Sequence, residues 1–365
     1  MLSRGKIQGM LVGGAIGDAW GMVVEGLSPE TIIKKFPDGV RGYQRPDGHK
    51  YFDGLPAGTV TDDTVLTIAT LAAIIEKGTL DMDAIAKTHI MALRSNNSGW
   101  GLTTKEAIEL LARGRSWRNA GRQVASQTGD GQGYAVNRGY GNGILMKAGA
   151  LGAFYATEAG GEYGNVFPGF NQFCVQFAGM THYTKMAAMS GIIHANAIHC
   201  CLHSDPERYD VELDFLDLVS DCAWEWGKEK SEDHTYYDIG DFFTNEDNLE
   251  TRMLDLWKHR REISGWTPEM IRSRYGASPY TYQSMPFSYA MFVKNPYSAY
   301  QAGFDTVNQG GDSDTNAKVV LELIGALHGV EVFQADENRW MVEGLACYSR
   351  LMDLANEFCD QFGVN

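Results

Sequence analysis

The chain of 365 residues is 44% hydrophobic and 21% charged, a composition that excludes extensive disorder and allows a large buried core. Its formal charge of −15 argues against a broad nucleic-acid footprint, which needs a basic face. No uncharged apolar run approaches the roughly 18 residues that span a bilayer, and the N-terminus lacks a signal-peptide core, so no membrane partner and a cytoplasmic location are expected.

In chain order, residues 3–20 predict a first helix, and Glu25 follows shortly after it. Beyond Thr61, the residues Val65, Ile68, Ala69, Ala72 and Ile75 recur at helical spacing, with Gly78 as the stop. Asp62 and Asp63 therefore stand in the first turn of a helix. Further helices are predicted over 81–94, 105–112, 184–202, 267–275 and 338–362. Val320, Leu323, Ile324 and Leu327 repeat the pattern before Gly329, which puts Asp312 and Asp314 at a second helix entrance. Alternating β-branched runs bounded by hairpin turns are scarce, so the fold class is all-α, in one domain over 1–365.

Glycine-rich connectors at 97–101, 129–133 and 139–143 let backbone amides approach a ligand closely, although glycine also simply turns a chain. The six cysteines lack CxxC spacing and read as buried free thiols. An acidic segment around 203–265 has sixteen Asp or Glu between Asp205 and Glu250, with Trp224 and Trp226 embedded; such a run is usually a solvated face or an inserted loop and helix.

Five carboxylates in three separated clusters carry the chemistry: Glu25, the pair Asp62 and Asp63, and the pair Asp312 and Asp314. Either acidic pair alone suits a helix N-cap, where the dipole favours negative charge. Two carboxylates a few ångströms apart repel by roughly 4 kcal/mol at an effective protein dielectric, so five together require cations. Hard oxygen donors with neighbouring Thr hydroxyls suit Mg²⁺, Mn²⁺ or Ca²⁺ better than zinc.

Taken in order, five segments resemble the ADP-ribosylglycohydrolase family. They are Gly13–Gly21 leading to Glu25, Pro56–Thr64, Tyr140–Gly149, Thr181-His182, and Gln309–Thr315 continuing to Gly329. The resemblance implies a hydrolase that releases ADP-ribose from an ADP-ribosylated protein or small-molecule conjugate, arginine-linked or otherwise. It implies two divalent cations, Mg²⁺ or Mn²⁺, in a central cleft. Thr61, Asp62, Asp63 and Asp314 would hold one ion, and Asp312, Asp314, Thr315 and Glu25 the other. It further implies that backbone amides at Gly99, Gly141, Asn142 and Gly143 hold the pyrophosphate, that His182 touches the ribose, and that Tyr140 packs near the adenine. Met22-Val23-Val24, Ile144-Leu145 and Asn316 depart from the family pattern without removing a ligand.

Glycosidic cleavage passes through an oxocarbenium-like state that an anionic pocket stabilises. Asp63 or Glu25 is the expected general base, and Asp18 a supporting acceptor behind the ligands. His182, taken alone, reads as a hydrogen-bonded core imidazole; His194, His199 and His203 read as ordinary helix residues. A non-catalytic ADP-ribose-binding relative and a two-metal phosphoesterase are the competing readings.

Overall fold

The computed structural model describes residues 1–95, 99–126, 139–158, 169–228 and 249–365. It begins with α1 (Arg4–Gly21), α2 (Pro29–Lys35), α3 (Asp62–Lys77), α4 (Met82–Ser95), α5 (Leu102–Ala112) and α6 (Trp117–Ala125). The middle holds α7 (Gly149–Glu158), α8 (Phe170–Gly179), α9 (Lys185–His203), α10 (Leu216–Lys228) and α11 (Leu249–Lys258). Then come α12 (Pro268–Tyr275), α13 (Thr281–Lys294), α14 (Ala299–Val307), α15 (Ser313–His328), α16 (Glu331–Gln334), α17 (Arg339–Glu343) and α18 (Tyr348–Phe362). The fold is all-α; among the described residues the sole β feature is an isolated bridge between Gly141 and Tyr280.

The predicted boundaries follow from capping. Ser3, Thr61 and Thr184 have extended backbones, and each side chain accepts a first-turn N–H. Gly78 adopts φ +65 at the end of α3, and its N–H donates to Ile74 O at 2.8 Å. Residues 338–362, expected as one helix, form α17 and α18 with a break between them. At the break a Cβ on Gly344 would lie 2.8 Å from the Tyr43 ring, and Ala346 N–H donates to Gly58 O, so tertiary contacts divert the chain.

The most intimate helix pair is α1 on α15. Gly9, Gly13, Gly17 and Gly21 fall every fourth residue and face α15; a Cβ on Gly13 or Gly17 would overlap the carbonyl oxygens of Leu321 or Ala317. The two helices therefore touch backbone to backbone. This contact brings chain segments almost 300 positions apart to one place, as in the 2.9 Å bond from Ser313 Oγ to Gly21 O. Gly17→Ala is expected to destabilise the protein by about 2 kcal/mol through overpacking, against an intrinsic helix preference of up to ~1 kcal/mol for alanine. Urea unfolding midpoints check it, with Gly265→Ala, whose Cβ would meet no atom within 4 Å, as the neutral comparison.

The Arg4–Val24 segment is long and apolar enough, by length and composition, to cross a membrane, although Arg4, Lys6 and Asp18 keep it from being an uncharged run. Of its most apolar 18 residues, 94% are buried inside the protein, so its apolar character is accounted for by core packing. The six cysteines are all free thiols, with Cys174, Cys201, Cys222 and Cys359 buried. Within the acidic segment, α10 packs on α9 and α11, and Trp226 rests partly buried against the core. Residues 229–248 of that segment, like the 129–133 connector, lie outside the described residues.

Candidate active site

Two helix N-termini, those of α3 and α15, deliver the acidic pairs. Asp62 and Asp63 occupy the first turn of α3, whereas Asp312 is the N-cap of α15 and Asp314 lies in its first turn. Asp18, fully buried on α1, joins these parts. Its carboxylate accepts the Thr61 N–H at 3.0 Å, the Thr64 N–H at 3.1 Å and the Thr64 hydroxyl at 2.6 Å. The expected supporting role is thus given a geometry: Asp18 holds the first turn of α3 against α1.

Glu25 is carried by the turn after α1. Gly26 N–H donates to Gly311 O at 2.7 Å and Gly311 N–H to Leu27 O at 2.9 Å, pairing that turn with the loop before α15. Gly311 has φ +72, and a Cβ there would overlap Ala277 O, so only glycine fits. As a result, Glu25, Asp312 and Asp314 each offer an oxygen within 4.8 Å of the others. Asp62 and Asp63 line the same cleft, whose volume is about 790 Å³.

So much buried acid raises every carboxyl's proton affinity. Burial, then the Asp312 charge, pushes Glu25 up to about 8. Burial, then Asp18, pushes Asp62 up to about 8, opposed by the Gly101 N–H that donates to it at 3.4 Å. Asp63 and Asp314 are pushed well above the usual carboxylate range by burial first and by their acidic neighbours second. Asp63 Oδ2 is buried without a hydrogen-bond partner. An acid set of this kind, with an oxygen left unpaired, has the character of a cation site.

The opposite wall is the 141–143 loop. Asn142 Nδ2 donates to Asp312 and to Ser284 Oγ, and Ser284 Oγ donates to Asn316 Oδ1 at 2.7 Å. His182 packs behind the loop: a Cβ on Gly143 would come within 2.6 Å of its ring. The imidazole is held neutral, pushed down to about 3 by burial and then by Lys147. Tyr51, Trp100 and Tyr280 add aromatic surface, Tyr280 stacking on Tyr282 at 5.7 Å.

A model of the ADP-ribosylglycohydrolase family matches residues 2–365. The chain belongs to this family. Among curated proteins it is 27% identical to an uncharacterized protein of Archaeoglobus fulgidus, covering 96% of this chain and 95% of that one. It is 22% identical to ADP-ribosylhydrolase ARH3 of Xenopus tropicalis, over 89% of this chain and 88% of the relative. It is 25% identical to the uncharacterized protein YegU of Escherichia coli, again over 89% and 88%. A solved structure described as an ADP-ribosylglycohydrolase-related protein complex superposes with a TM-score of 0.63 at 20% identity, covering 98% of both chains, and so shares the fold.

On this ADP-ribosylglycohydrolase fold, most residues expected from the sequence meet at one cleft: Glu25, Asp62, Asp63, Gly99, Gly141, Asn142, Gly143, His182, Asp312, Asp314 and Thr315. Two expected residues do not line it. Thr61 is the N-cap of α3, its hydroxyl accepting the Asp63 N–H at 3.4 Å. Tyr140 is 5% exposed and supplies its carbonyl to Thr281 N–H, so the rings on the cleft are those of Tyr51, Trp100 and Tyr280. Sequence reasoning passed over Ser284 and noted Asn316 only as a departure from the family pattern, without a structural role. The fully buried Asn316 amide accepts from Ser284 and Ser288 and donates to Ala277 O, steadying the loop that carries Asp312. A polar amide one residue past Asp314-Thr315, in a helix whose middle is mostly apolar, was the available signal.

Proposed function

We propose that the chain hydrolyses the glycosidic bond between ADP-ribose and an acceptor, most naturally an arginine or another protein side chain. The observation that carries this reading is the meeting of Glu25, Asp312 and Asp314 with Asp62 and Asp63 under one cleft that is walled by the 141–143 loop and His182. Glu25, Asp62, Asp63, Asp312, Asp314 and Thr315 would hold two Mg²⁺ or Mn²⁺ ions, since their hard oxygens and the unpaired Asp63 Oδ2 suit such cations. When bound, the ions would neutralise the carboxylates and order the hydroxyls of the distal ribose.

The remaining steps fall to the chain itself. Positive charge grows at the anomeric carbon as the bond to the acceptor lengthens, and the acidic floor of the cleft favours it. Asp63 or Glu25, both on the cleft wall, accepts the proton of the attacking water. The Gly141 and Gly143 amides would meet the pyrophosphate, since the Asn142 N–H already donates to Pro279 O at 2.9 Å; His182 would meet the ribose, and exposed Tyr280 offers a ring for adenine.

Arginine-linked and serine-linked ADP-ribosylated substrates, incubated with and without Mg²⁺ or Mn²⁺ and followed by mass, test this. Free ADP-ribose formed only with the metal is expected. Phosphate release from nucleotides with every ADP-ribose linkage intact would instead make the chain a phosphoesterase.

A further inference from the structure

Lys147 is a fully buried amine to which the chemistry above assigns no role. It closes the short 3-10 turn Leu145–Lys147. Its Nζ lies 4.9 Å from the centre of the Phe177 ring and donates to Thr181 Oγ1 at 3.4 Å. Thr181, equally buried, places that same oxygen 3.0 Å from His182 Nδ1. The main chain holds the imidazole still: His182 N–H donates to Ala178 O at 2.7 Å, and His182 O accepts from Thr184 N–H at 3.0 Å. The far edge of the ring faces the glycine loop, where a Cβ on Gly141 would sit 3.7 Å from Nε2.

A count of donors fixes where the imidazole proton sits. Burial lowers the Lys147 amine to about 7, and below that pH its ammonium can only donate, so Thr181 Oγ1 accepts from Lys147. The single hydroxyl proton of Thr181 then needs an acceptor, and His182 Nδ1 is the one within reach among the described residues. A proton on Nδ1 would leave that hydroxyl proton buried and unpaired. A neutral ring whose Nδ1 accepts carries its proton on Nε2, the nitrogen on the cleft side. We propose that Lys147, acting through Thr181, locks His182 in the Nε2–H tautomer and so makes it a hydrogen-bond donor toward a ligand oxygen in the cleft. Lys147 is then a positioning residue. The identity of that oxygen rests on the function proposed above; the tautomer does not.

Ring ¹⁵N shifts of histidine-labelled protein at about pH 6, where the Lys147 amine is charged, with the His182 signals assigned by their loss in His182→Gln, read the tautomer directly and need no ligand. The wild-type protein is expected to show protonated Nε2 and bare Nδ1. Lys147→Met, which keeps the length of the side chain and removes the donor, should give a mixture of both tautomers and weaken ADP-ribose binding about tenfold, the effect of one misdirected hydrogen bond. Thr181→Val breaks the same relay from its middle and serves if the methionine variant does not fold. Thr181→Ser should restore the wild-type spectrum. A wild-type ring protonated at Nδ1, or an unchanged tautomer in folded Lys147→Met or Thr181→Val, would overturn the proposal. Failure of ADP-ribose to bind wild-type protein would count against the function reading, while the spectra alone still decide the tautomer.

Discussion

Asp314→Asn is expected to lower turnover of an ADP-ribosylated substrate by on the order of 10³-fold, while raising the thermal stability of the metal-free protein. The two effects have one cause. Asp314 is buried at the first turn of α15, and its proton affinity is raised by burial and then by Glu25, Asp312, Asp63 and Asp18. Asparagine keeps the shape and the helix position but removes a carboxyl that must take up a proton to be buried beside four other acids, so without cations the folded state gains. With cations the same change removes a proposed ligand, whose oxygen lies within 4.8 Å of both Glu25 and Asp312. Melting curves with and without Mn²⁺ separate the contributions: a large metal-dependent rise for the wild type and a small one for the variant. Turnover and metal uptake both unchanged in Asp314→Asn would remove the acidic cluster from the mechanism.

The parts of the molecule legible in its sequence are those governed by local rules. The entrances of α3 and α15 were readable because Thr61, Asp62, Asp312 and Asp314 are capping residues followed by an amphipathic repeat with a glycine stop. Helix α7 was not, since it is buried along nearly its whole length and has no polar face to set a period. Helix α13 was hidden by Pro286, which ordinarily argues for a break yet lies inside it. At the site, acids within short motifs stood out, whereas Tyr280, Ser284 and Lys147 acquire their positions only when distant helices pack. Tyr140 and Tyr280 illustrate the limit. The Tyr140 carbonyl accepts from the N–H of Thr281, the residue after Tyr280, and that tertiary pairing leaves the Tyr140 ring buried while Tyr280 meets the cleft.

Stability should depend on pH in opposite senses without and with divalent cations. In the metal-free protein Glu25 and Asp62 are pushed up to about 8, from ordinary values of 4.5 and 3.8. Between about pH 4.5 and 8 the folded state therefore holds protons that the unfolded chain has released, and linkage makes stability fall as pH rises through that window. The combined loss across that window is expected to be on the order of 3 kcal/mol, several degrees in melting temperature for a chain of this size. Cation binding needs the ionised carboxylates, so with excess Mg²⁺ or Mn²⁺ the order reverses and the protein melts higher at pH 8 than at pH 6. Calorimetric titration in buffers of different ionisation enthalpy should show protons released on binding at pH 7. A metal-free melting temperature that climbs between pH 5 and 8, or binding without proton release, would mean that these carboxyls are already ionised and that some other positive charge balances the cluster.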